Sequence, residues 1–254
     1  MIPSALSFIS FYENFFKINS STLKSPQKIN ILILAPHPDD ECLMASAPLR
    51  LQLENQAQVT AVAITLGSNK ARQEERKKEF KEACALLGFK SEVLSDDWEK
   101  KLDELSKIIK AENINLLVCP HLKDHHPAHI KTAELTLKLI ERTKFNGTLL
   151  MSEFWGELEE PNLLVEVTRE VFTLQFNALE KHIGEVERNP YHLRLASHQV
   201  NSVRRGAEKV AVLGSAAPDF AFGNLYEGYQ VVDGEMKKLA PQILDYTSDL
   251  SSIS

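Results

Sequence analysis

The feature that most constrains this chain is an alternation, from residue 30 to about residue 155, of short apolar runs with charged segments of helical period. Residues 31–35, 59–66, 93–94, 116–119 and 149–154 read as strands. Between them, residues 43–55, 71–87, 99–112 and 129–142 read as helices, and Gly88 stands where a helix-ending glycine belongs. Strands alternating with helices predict a Rossmann-like α/β fold, a mainly parallel sheet flanked by helices. In such sheets ligands bind at the carboxyl ends of the strands.

Past Trp155 the pattern loosens. Residues 163–167 and 226–232 read as strands, and 169–187 and 193–213 as helices, with Asn189-Pro190 marking a break. This half is expected to be a C-terminal extension that packs on the sheet and walls the site. The chain divides into a helical lead-in over 1–29, a single α/β domain over 30–247 and a frayed polar tail over 248–254. With 254 residues, 43% of them hydrophobic, it can bury the core of one such domain.

Charge and composition exclude several classes. A net charge of −6 provides no footprint for nucleic acid. No apolar run reaches about 18 residues, so no membrane-spanning helix is expected. The apolar start (Phe8, Ile9, Phe11) lacks a basic lead and is broken by Glu13 and Asn14, so it reads as a packed helix and not a signal peptide. Three cysteines without close pairing point to reduced thiols and a cytoplasmic setting.

Two clusters carry chemistry. The first strand runs into Ala35-Pro36-His37-Pro38-Asp39-Asp40-Glu41. Carboxylates placed where a buried strand meets a helix are costly unless a cation or a partner compensates them. An imidazole and a carboxylate three positions apart on a turn can face one ion, with Asp39 beside it to handle a proton. Alone, Asp39-Asp40 would read as helix-capping acids. His37, and a second cluster after the fourth strand, shift that reading. The second cluster holds His121, Asp124, His125, His126 and His129, which include four of the chain's eight histidines. By itself it could be a solvated loop; both clusters lie at strand carboxyl ends, so the fold can join them. Two imidazoles and a carboxylate leave positions open for water, as catalytic zinc sites do.

The order H-P-D-D-E, then D-x-H-P-x-H, resembles the PIG-L/LmbE-like zinc deacetylases, which act on N-acetylglucosamine units. Arg76 and Glu79 with Ala83 and Leu87-Gly88, then Trp155, Asn189-Pro190-Tyr191 and Arg205-Gly206, extend the likeness over roughly residues 30–232. The resemblance implies one zinc ion per chain on His37, Asp40 and His129, with Asp39 as general base. It makes His126 the group that stabilises the oxyanion or protonates the leaving amine. Arg76 would contact substrate; Trp155 could stack on a sugar face or simply pack. Glu41 and Asp124 would support the ligands from behind. Zinc lowers the pKa of its water toward 7, which supplies a nucleophile at neutral pH. The implied substrate is a small N-acetylated amino sugar.

Two positions depart from the family pattern. Ala128 stands where many members have Asp, and His182-Ile183-Gly184-Glu185 replaces an H/Y-x-S-Q run. Two rivals follow: a metal-binding relative without turnover, and a Rossmann-like module binding Mg²⁺ and a nucleotide. The second lacks the glycine fingerprint after its first strand, and imidazole suits zinc better than magnesium. Arg76 could instead pair with Glu75 or Glu79 on its own helix. Cys42 and Cys119 could be soft ligands or buried thiols.

Overall fold

A computed structural model describes residues 3–212 and 214–253. The sheet begins with β1 (Asn30–Ala35), whose residues 31–35 are wholly buried. Alternation along β1 sends Ile31, Ile33 and Ala35 to one core and Leu32 and Leu34 to another. A strand covered on both faces must be apolar throughout, which is why it reads as an unbroken run.

Strands β2 (Gln58–Ala63), β3 (Lys90–Val93), β4 (Leu116–Pro120) and β5 (Gly147–Ser152) complete a parallel set in the order β3-β2-β1-β4-β5. The chain leaves β1 toward β2, then returns to the other side of β1 with β4. That reversal opens a crevice at the carboxyl ends of β1 and β4. Both histidine clusters emerge there.

The helices flank the sheet as two layers. One core takes side chains from α3 (Ser46–Asn55), α4 (Gln73–Leu87), α7 (Arg169–Leu179) and α9 (Tyr191–Lys209). The other takes Leu105 and Ile109 from α5 (Trp98–Glu112) and Leu135, Leu139 and Ile140 from α6 (Pro127–Thr143). Gly88 closes α4 at φ 73°, a left-handed turn that suits glycine.

Several boundaries differ from the sequence reading. The helix expected over 43–55 is two, a four-residue α2 (Asp40–Leu43) and α3. α6 starts two residues earlier than expected, because Pro127 occupies its first position, where a missing N–H costs nothing. The segment 169–187 divides into α7 and α8 (Ile183–Arg188). The helix expected over 193–213 runs from Tyr191 to Lys209, and Leu213 lies outside the described residues.

The second half does more than pack on the sheet: it lengthens it. β7 (Gly223–Val232) pairs antiparallel with β5, β6 (Leu163–Glu166) pairs antiparallel with β7, and β9 (Gln242–Leu244) runs parallel to β6. β8 (Glu235–Lys238) pairs with β7. At the start, α1 (Ala5–Tyr12) buries Ala5 and Ile9 and sets Phe8 against Phe172 and Phe176. The tail is docked rather than frayed: Leu250 and Ile253 are buried, and Thr148 donates to the Ile253 carbonyl. Two apolar side chains account for this in a segment that otherwise reads as polar.

Candidate active site

Asp40 sits at the centre. Its Oδ2 lies 3.4 Å from His37 Nδ1 and 3.4 Å from His129 Nε2, and it accepts the His37 backbone N–H at 2.9 Å. His37 and Asp40 stand on the turn leaving β1, while His129 stands on the first turn of α6, after β4. The switch in strand order therefore brings together groups 89 residues apart. Burial tends to raise Asp40, but the imidazoles of His129 and His37 overcome it and hold the carboxyl far below the usual range. Burial likewise tends to lower His129, while Asp40 and Asp124 push it up to about 10. A proton on His129 and a cation in this cluster would compete for the same place.

Asp124 links the histidines of the second loop. Its Oδ1 accepts the His126 backbone N–H at 2.8 Å, and its Oδ2 lies 3.2 Å from His129 Nδ1. With Nδ1 directed at a carboxylate, His129 keeps Nε2 for the centre. His126 caps α6, where its Nδ1 accepts the Ala128 N–H at 3.2 Å. A neutral imidazole with Nδ1 as acceptor carries its hydrogen on Nε2 and is a donor there. The donor atoms of His37, His126 and His129 lie within 4.8 Å of one another, so distance alone would allow His126 as a ligand. Its engaged Nδ1 favours a donor's role. Burial and the nearby His37 and His129 lower its pKa. Asp124 hydrogen-bonds the backbone of His126, and its charge opposes the lowering of the ring's pKa.

Asp39 lies at the start of α2 with φ 117°, a conformation side-chain-bearing residues rarely adopt. Burial, then the adjacent Asp40, raises its pKa well above the carboxylate range, and Arg76 opposes them. Arg76 Nη2 is 4.0 Å from Asp39 Oδ2 and donates to the Pro38 carbonyl; its Nη1 donates to Leu66. Its acidic neighbour is Glu185, at 3.6 Å, and not Glu75 or Glu79, both of which pair with Arg72. Glu41 is fully buried and accepts the Asp39 N–H at 2.8 Å, with His182 Nε2 2.6 Å from its other oxygen.

These residues open into a cleft of about 790 Å³ lined by His37, Asp39, Asp40, His126, His129 and Trp155. Trp155 is 41% exposed and packs edge-on against Tyr191. Its loop is fixed on both sides: His121 Nε2 lies 2.9 Å from the Gly156 carbonyl, and Arg205 pairs with Glu153. A side chain on Gly156 would meet Asp124 Cα at 2.9 Å, so the Trp155 loop rests directly on the loop that carries Asp124 and His126. Gly67, Ser68 and Asn69 line the cleft as well. Glu185, named in sequence only as a departure from the family pattern, lines it, as do Arg188, Trp98 and Lys131, which sequence reasoning passed over. The Asn189-Pro190 break was the available signal for Arg188. All three cysteines are free and buried; burial pushes Cys119 up to about 12 and raises Cys42 and Cys84, so the thiols are inert packing groups.

A family model described as PIG-L, GlcNAc-PI de-N-acetylase, matches residues 32–140, the segment that holds both histidine clusters. Over that segment the chain resembles the PIG-L/LmbE-like family. A probable N-acetyl-alpha-D-glucosaminyl L-malate deacetylase 2 of Bacillus cereus is 26% identical over 187 residues, covering 62% of this chain and 84% of that protein. The N,N'-diacetylchitobiose deacetylase of Pyrococcus horikoshii has a TM-score of 0.58 at 18% identity, covering 81% of this chain and 84% of the other. GalB, the 4-carboxy-2-hydroxymuconate hydratase of Pseudomonas putida, has a TM-score of 0.60 at 16% identity, covering 80% and 96%. One backbone thus carries hydrolytic and hydratase chemistry, and function has to be argued from the site. The sequence relatives that the chain matches are described as deacetylases.

Proposed function

We propose that the protein is a zinc-dependent N-deacetylase acting on a small N-acetylglucosamine-type amino sugar in the cytoplasm. The observation that carries this is the Asp40 carboxylate between His37 Nδ1 and His129 Nε2, at 3.4 Å from each, with Asp39 beside it. Two nitrogens and a carboxylate fit zinc in chemical type, and Asp124 behind His129 supplies the orienting contact that such ligands use. His37, Asp40 and His129 would hold one ion. Bound there, zinc supplies Lewis acidity and an acidified water near neutral pH.

Asp39 lies beside the proposed ligands and takes the proton of the attacking water. Its raised pKa makes it a better acceptor than an ordinary carboxylate once ionised. His126 Nε2–H donates to the acetamide oxygen as negative charge builds there, where a placed donor matters most. Asp39 then returns the proton to the nitrogen and the amine leaves. Trp155 and Tyr191 form an apolar wall suited to a sugar face, and Arg76 steadies the Asp39 turn from the cleft side. The Rossmann-like nucleotide module fits poorly, because β1 is followed by Pro36-His37-Pro38 and not by a glycine-rich turn.

The test is acetate release from a panel of N-acetylglucosaminides, with and without a chelator. Wild type should turn over at least one of them. Asp39→Asn should lose about 10²–10⁴-fold in kcat with zinc retained. Equal turnover by wild type and mutant, or full activity after metal stripping, would refute the proposal.

A further inference from the structure

We propose that His182 is a positioning residue for Asp39, acting through Glu41 from the far half of the chain. The role of Asp39 is that of the deacetylase reading above; the contacts themselves are independent of it. At φ 117° and ψ −34° the Asp39 backbone is strained. Such conformations are costly and persist only where their surroundings hold them. What holds this one is the hydrogen bond from Asp39 N–H to Glu41 Oε2, at 2.8 Å.

Glu41 needs holding in turn. It is fully buried, and a carboxylate without water needs partners on both oxygens. Oε1 faces His182 Nε2 at 2.6 Å and the Cys42 thiol at 3.3 Å. His182 is itself wholly buried, lies in the turn between α7 and α8, and does not line the cleft, so it has no route to substrate. A second grip comes from α7: Gln175 Nε2 donates to the Cys42 carbonyl at 2.8 Å, while its Oε1 accepts from Ser46 and Gln199. α2 has only four residues, too few to persist as a helix unaided. The turn carrying Asp39 is therefore gripped by α7 and the residues just after it, over 130 positions away. The donor atoms of Glu41, Cys42 and His182 also lie within 4.8 Å of one another. The short Glu41–His182 hydrogen bond favours a brace over a second cation site.

The experiment compares zinc-loaded wild type, His182→Leu, His182→Gln, Glu41→Gln, the double variant Glu41→Gln/His182→Leu, and Phe172→Leu. Phe172 stacks on Phe222 in the core and serves as a control for lost packing. The readouts are kcat and KM on a turned-over N-acetylglucosaminide, metal per chain, and hydrogen exchange of the Asp39 amide. His182→Leu should lower kcat 10- to 100-fold with KM within threefold and one zinc per chain, and should speed Asp39 exchange at least tenfold. His182→Gln, which keeps a donor, should recover most of both effects, and Phe172→Leu should show neither. The double variant should fall within threefold of Glu41→Gln alone, since partners in one contact chain are not additive. Unchanged Asp39 exchange in His182→Leu, multiplicative losses in the double variant, or two zinc ions falling to one on removing His182 would overturn the proposal. If His182→Leu does not fold, His182→Asn, too short to keep the contact with Glu41, takes its place in the cycle with Glu41→Gln, read the same way. A wild type that turns over no N-acetyl sugar defeats the deacetylase reading, while amide exchange still decides the brace.

Discussion

Asp124 Oδ2 lies 3.2 Å from His129 Nδ1, on the side of the ring away from Asp40. The same carboxylate holds the His126 backbone, so one residue orients two histidines with different proposed tasks. Asp124→Asn should therefore weaken zinc binding by about 10- to 100-fold, the usual loss when a carboxylate behind a ligating histidine is removed. Competition against a graded chelator measures this directly. An unchanged affinity would mean that His129 is aimed by packing alone.

Trp155 presents much of its ring at the cleft rim. Its loop is anchored by His121, Arg205 and Glu153, so trimming the ring should leave the loop in place. Trp155→Ala should raise KM about 3- to 10-fold with kcat within twofold, the pattern of an aromatic contact made equally in ground and transition states. A loss confined to kcat would assign the ring to the chemical step instead.

The sequence made the centre legible because strand and cluster are adjacent in it. His37 and Asp40 follow an apolar run, His126 and His129 follow another, and parallel strands put both ends on one edge. What stayed illegible depends on pairings that no local period encodes. β8 and β9 are short, and among the described residues β9 joins the sheet through its partner β6. The docking of Leu250 and Ile253 is decided by a pocket formed elsewhere. His182 is the sharpest case: its run stood out only as a departure from the family pattern, and its contact with Glu41, 141 residues earlier, appears only in the fold.

Arg50 and Glu54 form a bidentate pair on α3 with no solvent exposure, at 2.8 and 2.9 Å. The same guanidinium donates to the Leu244 carbonyl, and Lys24 reaches Glu54 from the lead-in segment. The pair thus ties α3 to β9 and to the chain's start. Glu54→Ala would leave a buried guanidinium without its charge partner and should destabilise by about 3–5 kcal/mol. Urea unfolding should show this as a shifted midpoint, with KM of the surviving folded enzyme unchanged. A loss below about 1 kcal/mol would place the pair's role outside stability.

His198 supplies a pH dependence remote from the proposed ligands. It lies on α9 with its ring centroid 4.8 Å from that of Phe154, and its Nε2 is buried without a partner. Burial, assisted by Arg205, lowers its pKa to about 4. In the unfolded chain the same ring titrates near 6.5. Between those values the unfolded state takes up a proton that the folded state refuses, so stability falls as pH drops through the window and is unaffected by this group above it. The loss should reach about 2 kcal/mol between pH 7.5 and pH 5. His198→Leu removes the titrating ring and should flatten that slope in urea unfolding; a slope equal to the wild type's would show that the proton goes elsewhere.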